Sequence, residues 1–117
     1  MPMSAGFNIL FRDRPEVMKA WLHTDEVIAQ QSALDAKTAE LAYIAVISAL
    51  GLERGMAFHA TQAKQLGASR DEVISAVLVG LPAAGSRVIE AVEEAVRPFD
   101  EPTASTEKLA DKPVDER

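Results

Sequence analysis

The chain has 117 residues, a formal net charge of −6 and no cysteine. This length is typical of one domain, and the missing cysteines exclude disulfides, thiolate nucleophiles and cysteine-based metal sites. The acidic balance argues against nucleic acid as the main partner, because phosphate binding needs a basic surface. With only two histidines, we expect no metal site and no cofactor.

The N-terminal residues carry no recognisable targeting signal. The first four residues, Met-Pro-Met-Ser, are not followed by the basic and apolar regions of a secretory signal. No run of about 18 apolar residues occurs, so we expect no transmembrane helix and no membrane partner. The expected location is the cytoplasm.

The periodicity of the body predicts helices throughout and no sheet, and hence an all-α bundle of about five helices. Pro15 suits a first helical position, Gly51 and Gly67 suit helix ends, and Ser69 with Glu72 forms a capping box. The helices are expected at residues 15–31, 36–50, 52–66, 70–79 and 84–96.

The composition changes at Pro98, which is also expected to stop the last helix. From there to Arg117 the chain has three prolines, six acidic residues and only three large apolar residues. Such a segment buries too little surface to offset its chain entropy. We therefore predict one helical domain over residues 1–97 and a flexible, disordered acidic tail over 98–117.

The second predicted helix is apolar on all sides, since residues 44–47 are Ile-Ala-Val-Ile. A helix of this kind is buried on all sides, and a domain this small has few elements to cover it. We therefore expect a homo-oligomer that buries part of this surface. The alternative is a well-filled monomeric bundle.

His59 and Glu40 are the candidate catalytic residues. The imidazole of His59 suits proton transfer near neutral pH, and Glu40, on an apolar helix, can act as a general acid or base. In the alternative reading, His59 is a half-buried helix residue with a satisfied ring. Glu40 is then an exposed acid near a helix N-terminus.

Arg54 and Arg87 are the candidate substrate-binding residues. Each guanidinium could bind a substrate carboxylate. Arg87 follows residues 80–86, a stretch rich in small residues that is expected to interrupt the helices. Alternatively, Arg54 pairs with a surface acid and Arg87 is solvated in a loop. Neither of the glycine-rich patterns of phosphate-binding loops, G-x-G-x-x-G and G-x-x-x-x-G-K-[ST], occurs near these positions.

Three runs resemble the carboxymuconolactone decarboxylase and alkylhydroperoxidase D-like superfamily: LDAKTAEL at 34–41, HATQAK at 59–64 and LGASRDEV at 66–73. Redox members of that superfamily have a Glu twelve residues before a Cys-x-x-Cys-x-x-x-His motif. Counted from Glu40 and from His59, the cysteine positions fall on Leu52 and Gly55. The resemblance implies that Glu40 and His59 occupy proton-relay positions and that both thiols are missing, so thiol peroxidase and disulfide-exchange activities are not carried over.

The resemblance further implies an all-helical trimer or hexamer. The first hypothesis is an enzyme of the decarboxylase type, performing cofactor-free acid–base chemistry (decarboxylation, or a lactone-type lyase or isomerase reaction) on a small carboxylate. The second is a non-catalytic oligomeric accessory protein that kept the fold and lost the chemistry. A DNA-binding helical domain is a third possibility, which the acidic balance and the lack of a basic helix oppose.

Overall fold

The computed structural model describes residues 5–101, which are helical with no strand among them. The helices are α1 (Ala5–Asp13), α2 (Pro15–Gln31), α3 (Ala36–Leu50), α4 (Met56–Gln65), α5 (Arg70–Leu78), α6 (Leu81–Ala84) and α7 (Val92–Asp100), with 3₁₀ segments at Glu53–Gly55 and Gly85–Ala91. The predicted all-α class is confirmed. The five predicted helices are present, although residues 85–91 of the fifth form a 3₁₀ segment and α7 begins at Val92. The short helices α1 and α6 occur in addition.

The chain divides into two compact units, Met1–Asp35 and Ala36–Arg117. In the first unit, α1 and α2 meet through the rings of Phe7 and Trp21, which stack with centroids 5.3 Å apart. Pro15 occupies the start of α2, as predicted. Helix α1 was not predicted because nine residues are marginal as an isolated helix, and the ring stack is a contact that sequence spacing does not reveal.

The second unit contains one apolar core that its helices share. Every element of the unit other than α6 and the Glu53–Gly55 segment contributes at least one fully or almost fully buried side chain. The largest of these are Ile44 and Ile47 from α3, Met56 from α4, Val73 and Val77 from α5, and Val88 from the second 3₁₀ segment. The core positions α3 and α4, which carry Glu40 and His59.

The predicted turn chemistry between the helices is confirmed. The Ser69 hydroxyl accepts from the Glu72 amide at 3.0 Å, and the Glu72 carboxylate accepts from the Ser69 amide at 2.9 Å. Gly51 and Gly67 have φ of 72° and 98°, the left-handed region that glycine adopts without steric cost. The third predicted helix differs at its start, where residues 53–55 form a 3₁₀ segment before α4.

The end of the last helix differs from the prediction. Helix α7 continues through Pro98 to Asp100, and Pro98 is buried. The Lys64 ammonium donates to the Pro98 carbonyl at 2.7 Å, and Arg70 pairs with Asp100 through two bonds of 2.7 and 2.9 Å. These tertiary contacts hold a turn that proline would otherwise weaken. Residues 102–117 of the predicted tail lie outside the described residues.

Residues 70–100 are long and apolar enough, by length and composition alone, to cross a membrane. This stretch is not one straight helix, because Gly85 interrupts it with φ of 80° and ψ of −163°. It also supplies Val73, Val77 and Val88 to the core. Part of the stretch therefore belongs to the core of the second unit.

Glu72 gives a prediction for acid stability. The Ser69 amide, followed by the Lys37 ammonium at 3.0 Å, lowers the pKa of Glu72 from its ordinary 4.5. A carboxyl whose pKa is lower in the folded state stabilises the fold above its unfolded pKa, and this contribution is lost as the pH falls through the folded pKa. We expect the melting temperature of Glu72→Gln to fall less than that of the wild type between pH 6 and pH 3. The melting temperature of Lys37→Met, which removes one cause of the lowered pKa of Glu72, should fall by an intermediate amount. Equal falls in the melting temperatures of the wild type and Glu72→Gln would contradict the stabilising role assigned to the Glu72 carboxylate.

Candidate functional site

Glu40 and His59 are in direct contact, although nineteen residues separate them. Helix α3 places Glu40 and helix α4 places His59 so that Nδ1 of the ring lies 2.5 Å from Oε1 of the carboxylate. The two side chains are 15% and 22% exposed, so the pair is largely covered and yet reaches the surface. A hydrogen bond to an ionised carboxylate in these surroundings is among the stronger hydrogen bonds in proteins.

This contact assigns different roles to the two nitrogens of His59. The ionised Glu40 carboxylate only accepts, so Nδ1 carries a proton and donates it. In the neutral ring Nε2 then has an unshared electron pair and can accept a proton. The Glu40 carboxylate also stabilises the imidazolium that forms when Nε2 is protonated.

Two aromatic rings contact the imidazole. The Tyr43 ring lies 4.3 Å from the His59 ring between centroids, tilted by 31°. The Phe58 ring approaches edge-on at 5.2 Å and 81°. Tyr43 and Phe58 are 48% and 39% exposed, so the Glu40–His59 pair lies at the edge of an apolar surface that these two rings form. Tyr43 was not among the predicted site residues. Its position three residues after Glu40, on the same side of α3, was the signal in the sequence.

Gly55 lies beside the other edge of the imidazole. A Cβ at this position would stand 3.5 Å from Cδ2 and 4.0 Å from Nε2 of His59. Leu52, one turn earlier, is 54% exposed. The family resemblance places the missing thiols at these two positions, and Gly55 is in fact next to the histidine.

Neither candidate arginine is hydrogen-bonded to the Glu40–His59 pair. Arg54 is exposed in the first 3₁₀ segment, immediately before Gly55, and no hydrogen bond or salt bridge of its side chain occurs within residues 5–101. The Arg87 guanidinium is exposed and donates to the Ala49 carbonyl at 3.4 Å. Within the described part of the chain, no three His, Asp or Glu side chains are grouped as metal ligands would be.

An open groove of about 560 Å³ lies elsewhere, between α3 and α5. Small side chains line much of it, among them Ala42, Ala45 and Ser75, and its lining does not include Glu40 or His59. By helical spacing, the groove and Glu40 occupy opposite faces of α3. The groove and the histidine pair are therefore separate features of the second unit, and we base the chemical argument on the pair.

Comparison with curated proteins finds no match, and comparison with solved structures finds none either. A model of the carboxymuconolactone decarboxylase family matches residues 15–98. The matched segment covers more than half of the 117 residues and contains Glu40, Gly55 and His59. The chain belongs to the carboxymuconolactone decarboxylase family.

Proposed function

We propose that the chain catalyses cofactor-free acid–base chemistry on a small carboxylate substrate, with decarboxylation or a lactone-type lyase or isomerase reaction as the reaction class. The observation that carries this proposal is the 2.5 Å contact between Nδ1 of His59 and Glu40. It orients the ring and leaves Nε2 to exchange a proton with substrate. General acid–base catalysis needs this combination of an oriented imidazole and a partner for its charged form.

In a decarboxylation the protonated His59 acts as the acid. The bond between the substrate carbon and its carboxylate breaks, CO₂ leaves, and the electron pair stays on the carbon. Nε2–H then delivers its proton to that carbon, and the ring regains a proton from water. In an isomerisation, neutral Nε2 first removes a proton from the carbon next to the carbonyl and then returns it to another carbon of the substrate. In a lactone opening, neutral Nε2 removes that proton while the bond between the β-carbon and the ring oxygen breaks. The ring oxygen leaves as a carboxylate, and the imidazolium then gives its proton to water. Glu40 remains ionised throughout and stabilises the imidazolium.

The substrate anion requires a cation, and the candidates are Arg54 and Arg87. Arg54 is the better placed of the two, because it directly precedes Gly55, which lies beside the imidazole edge. The Arg87 guanidinium is engaged with the Ala49 carbonyl. A flexible exposed arginine can close on a carboxylate with two parallel hydrogen bonds.

The second candidate function is that of a non-catalytic accessory protein. One observation favours it. The open groove between α3 and α5 does not have Glu40 or His59 in its lining, so this groove does not supply a substrate pocket for the Glu40–His59 pair. In this case Glu40 and His59 would join α3 to α4 as a polar contact.

The two functions are separated by an assay of CO₂ release and of lactone opening with a panel of small lactone acids and 3-oxo acids. We expect His59→Gln to lower kcat by about 10²–10⁴-fold, the usual contribution of general acid–base catalysis. Glu40→Gln should also lower kcat, since the carboxylate no longer stabilises the imidazolium. His23→Gln, which changes the other histidine on the exposed surface of α2, is the matched control. Turnover that survives His59→Gln would contradict the role assigned to His59. No turnover and no thermal shift with any member of the panel would favour the accessory function.

We also propose that the chain forms a homo-oligomer, a trimer or hexamer, in the cytoplasm, without nucleic acid or membrane partners. The support is a stripe on α3 that we call the α3 stripe, formed by Tyr43, Val46 and Leu50. These side chains are 48%, 53% and 57% exposed in the single chain. Their spacing of three and four residues puts them on one side of the helix, next to the Glu40–His59 pair.

A further inference from the structure

The glycine at position 55 is not explained by the backbone. Its φ of −88° and ψ of −4° are open to any residue. By contrast, Gly51, Gly67 and Gly85 have positive φ, where glycine is favoured. A residue with a Cβ would reduce the conformational entropy of the unfolded chain and would stabilise the fold. Some other requirement must therefore favour the absence of a side chain at Gly55.

That requirement is space at the reactive edge of His59. A Cβ on residue 55 would be in van der Waals contact with Cδ2, at 3.5 Å, and 4.0 Å from Nε2. Alanine would fit there, but the Cγ atoms of a valine would extend further over Nε2. Because Nδ1 is held by Glu40, Nε2 is the nitrogen available for chemistry. A larger side chain at this position would cover it.

We propose that Gly55 is a specificity-determining residue: the space in which a Cβ of residue 55 would stand, which we call the niche, admits the reacting atom of a compact, flat carboxylate to Nε2 of His59. This inference rests on the proposed function for its substrate class. The rings of Tyr43 and Phe58 contact the same imidazole and make the surroundings apolar and flat. Nε2 faces the niche, so it can accept an acidic proton from the substrate. Arg54, which precedes Gly55 in the sequence, supplies a positive charge for the substrate carboxylate.

The niche can be tested without a substrate, with diethyl pyrocarbonate as the probe and the full chain as the protein. Unprotonated Nε2 attacks a carbonyl carbon of the reagent and acquires an ethoxycarbonyl group. The C–O bond breaks, and the ethyl carbonate that leaves takes up the proton released from Nδ1 of the ring and decomposes to CO₂ and ethanol. His23, whose side chain is 75% exposed, reacts in the same tube and gives an internal reference. The rate ratio of His59 to His23 is measured by peptide mass spectrometry.

We expect Gly55→Val to lower the His59 to His23 ratio at least tenfold and Gly55→Ala to lower it two- to threefold. Gly55→Ala should melt at or above the wild-type temperature, so its lower ratio would not be an effect of misfolding. Leu52→Val, at the exposed residue that precedes the 3₁₀ segment, is the matched control and should leave the ratio unchanged. An unchanged ratio in both Gly55 variants would overturn the inference.

The niche and the proposed function can fail separately. If the ratio falls as expected while the wild type turns over no member of the acid panel, the niche stands and the proposed chemistry fails. If the wild type turns over a substrate and Gly55→Val leaves both the ratio and kcat/KM unchanged, the proposed chemistry stands and the niche fails. When both hold, Gly55→Val should raise KM most for the bulkiest substrates.

Discussion

Ile44→Ala is expected to lower the free energy of unfolding by about 2–5 kcal/mol, the range observed when large aliphatic side chains are removed from a packed core. Ile44 is 0% exposed and belongs to the core cluster of the second unit. Its removal loses apolar burial and leaves a cavity that surrounding helices fill only in part. In a domain of this size, the melting temperature should fall by roughly 10 °C or more.

Ile89→Ala is the matched control because it makes the same chemical change at an exposed position. Ile89 is 53% exposed, and surface substitutions usually change stability by about 0.5 kcal/mol or less. Both variants are compared by urea unfolding, with the m-value checked for a change in the denatured state. If Ile44→Ala and Ile89→Ala differ by less than about 1 kcal/mol, then Ile44 is not the central core residue that its burial indicates.

The second large effect concerns self-association. The double variant Val46→Glu and Leu50→Glu places two carboxylates on the α3 stripe, at side chains that are 53% and 57% exposed in the single chain. If this stripe is buried between copies, each charge loses its hydration without a partner, which costs several kcal/mol per ion. At about 1.4 kcal/mol per tenfold change, the dissociation constant should rise more than 10³-fold. We expect a monomer of 12.6 kDa by light scattering at concentrations where we propose that the wild type forms a trimer or hexamer.

Ile89→Glu is the control for this experiment, since Ile89 has the same 53% exposure as Val46 and lies outside the stripe. It should leave the wild-type mass unchanged. A wild type that is monomeric at all concentrations would contradict the homo-oligomer. A double variant that stays assembled would place the interface on another surface. Far-UV circular dichroism verifies that both variants remain helical.

Much of the local structure could be predicted because it depends on neighbours in sequence. Helices α2 and α3 begin and end where Pro15, Gly51 and the apolar periodicity place them. The capping box of Ser69 and Glu72 is a three-residue motif, and it forms as expected. Each of these features is stabilised by hydrogen bonds and backbone preferences within one or two turns, so long-range packing does not need to be known.

Features that depend on distant contacts were predicted less well. Helix α7 passes Pro98 because Lys64 bonds the Pro98 carbonyl across the unit and Asp100 pairs with Arg70. Both contacts join residues at least thirty positions apart. Rules based on residue spacing within one helix cannot predict contacts between residues so far apart. Helix α1 was missed for a related reason, since the Phe7–Trp21 stack joins two separate helices.

For the candidate site, the sequence by itself determined which side chains were available: one acid on an apolar helix, one histidine on the next, and no thiol at positions 52 and 55. Only the tertiary structure decided that Glu40 bonds Nδ1 of His59 at 2.5 Å, that Tyr43 covers the ring, and that Gly55 lies beside Nε2. The physical reason is that helical periodicity identifies the face a residue occupies on its own helix. The packing of α3 against α4 around Ile44 and Met56 determines which faces of the two helices are in contact. Proton transfer depends on the distance between the reacting groups to within a fraction of an ångström.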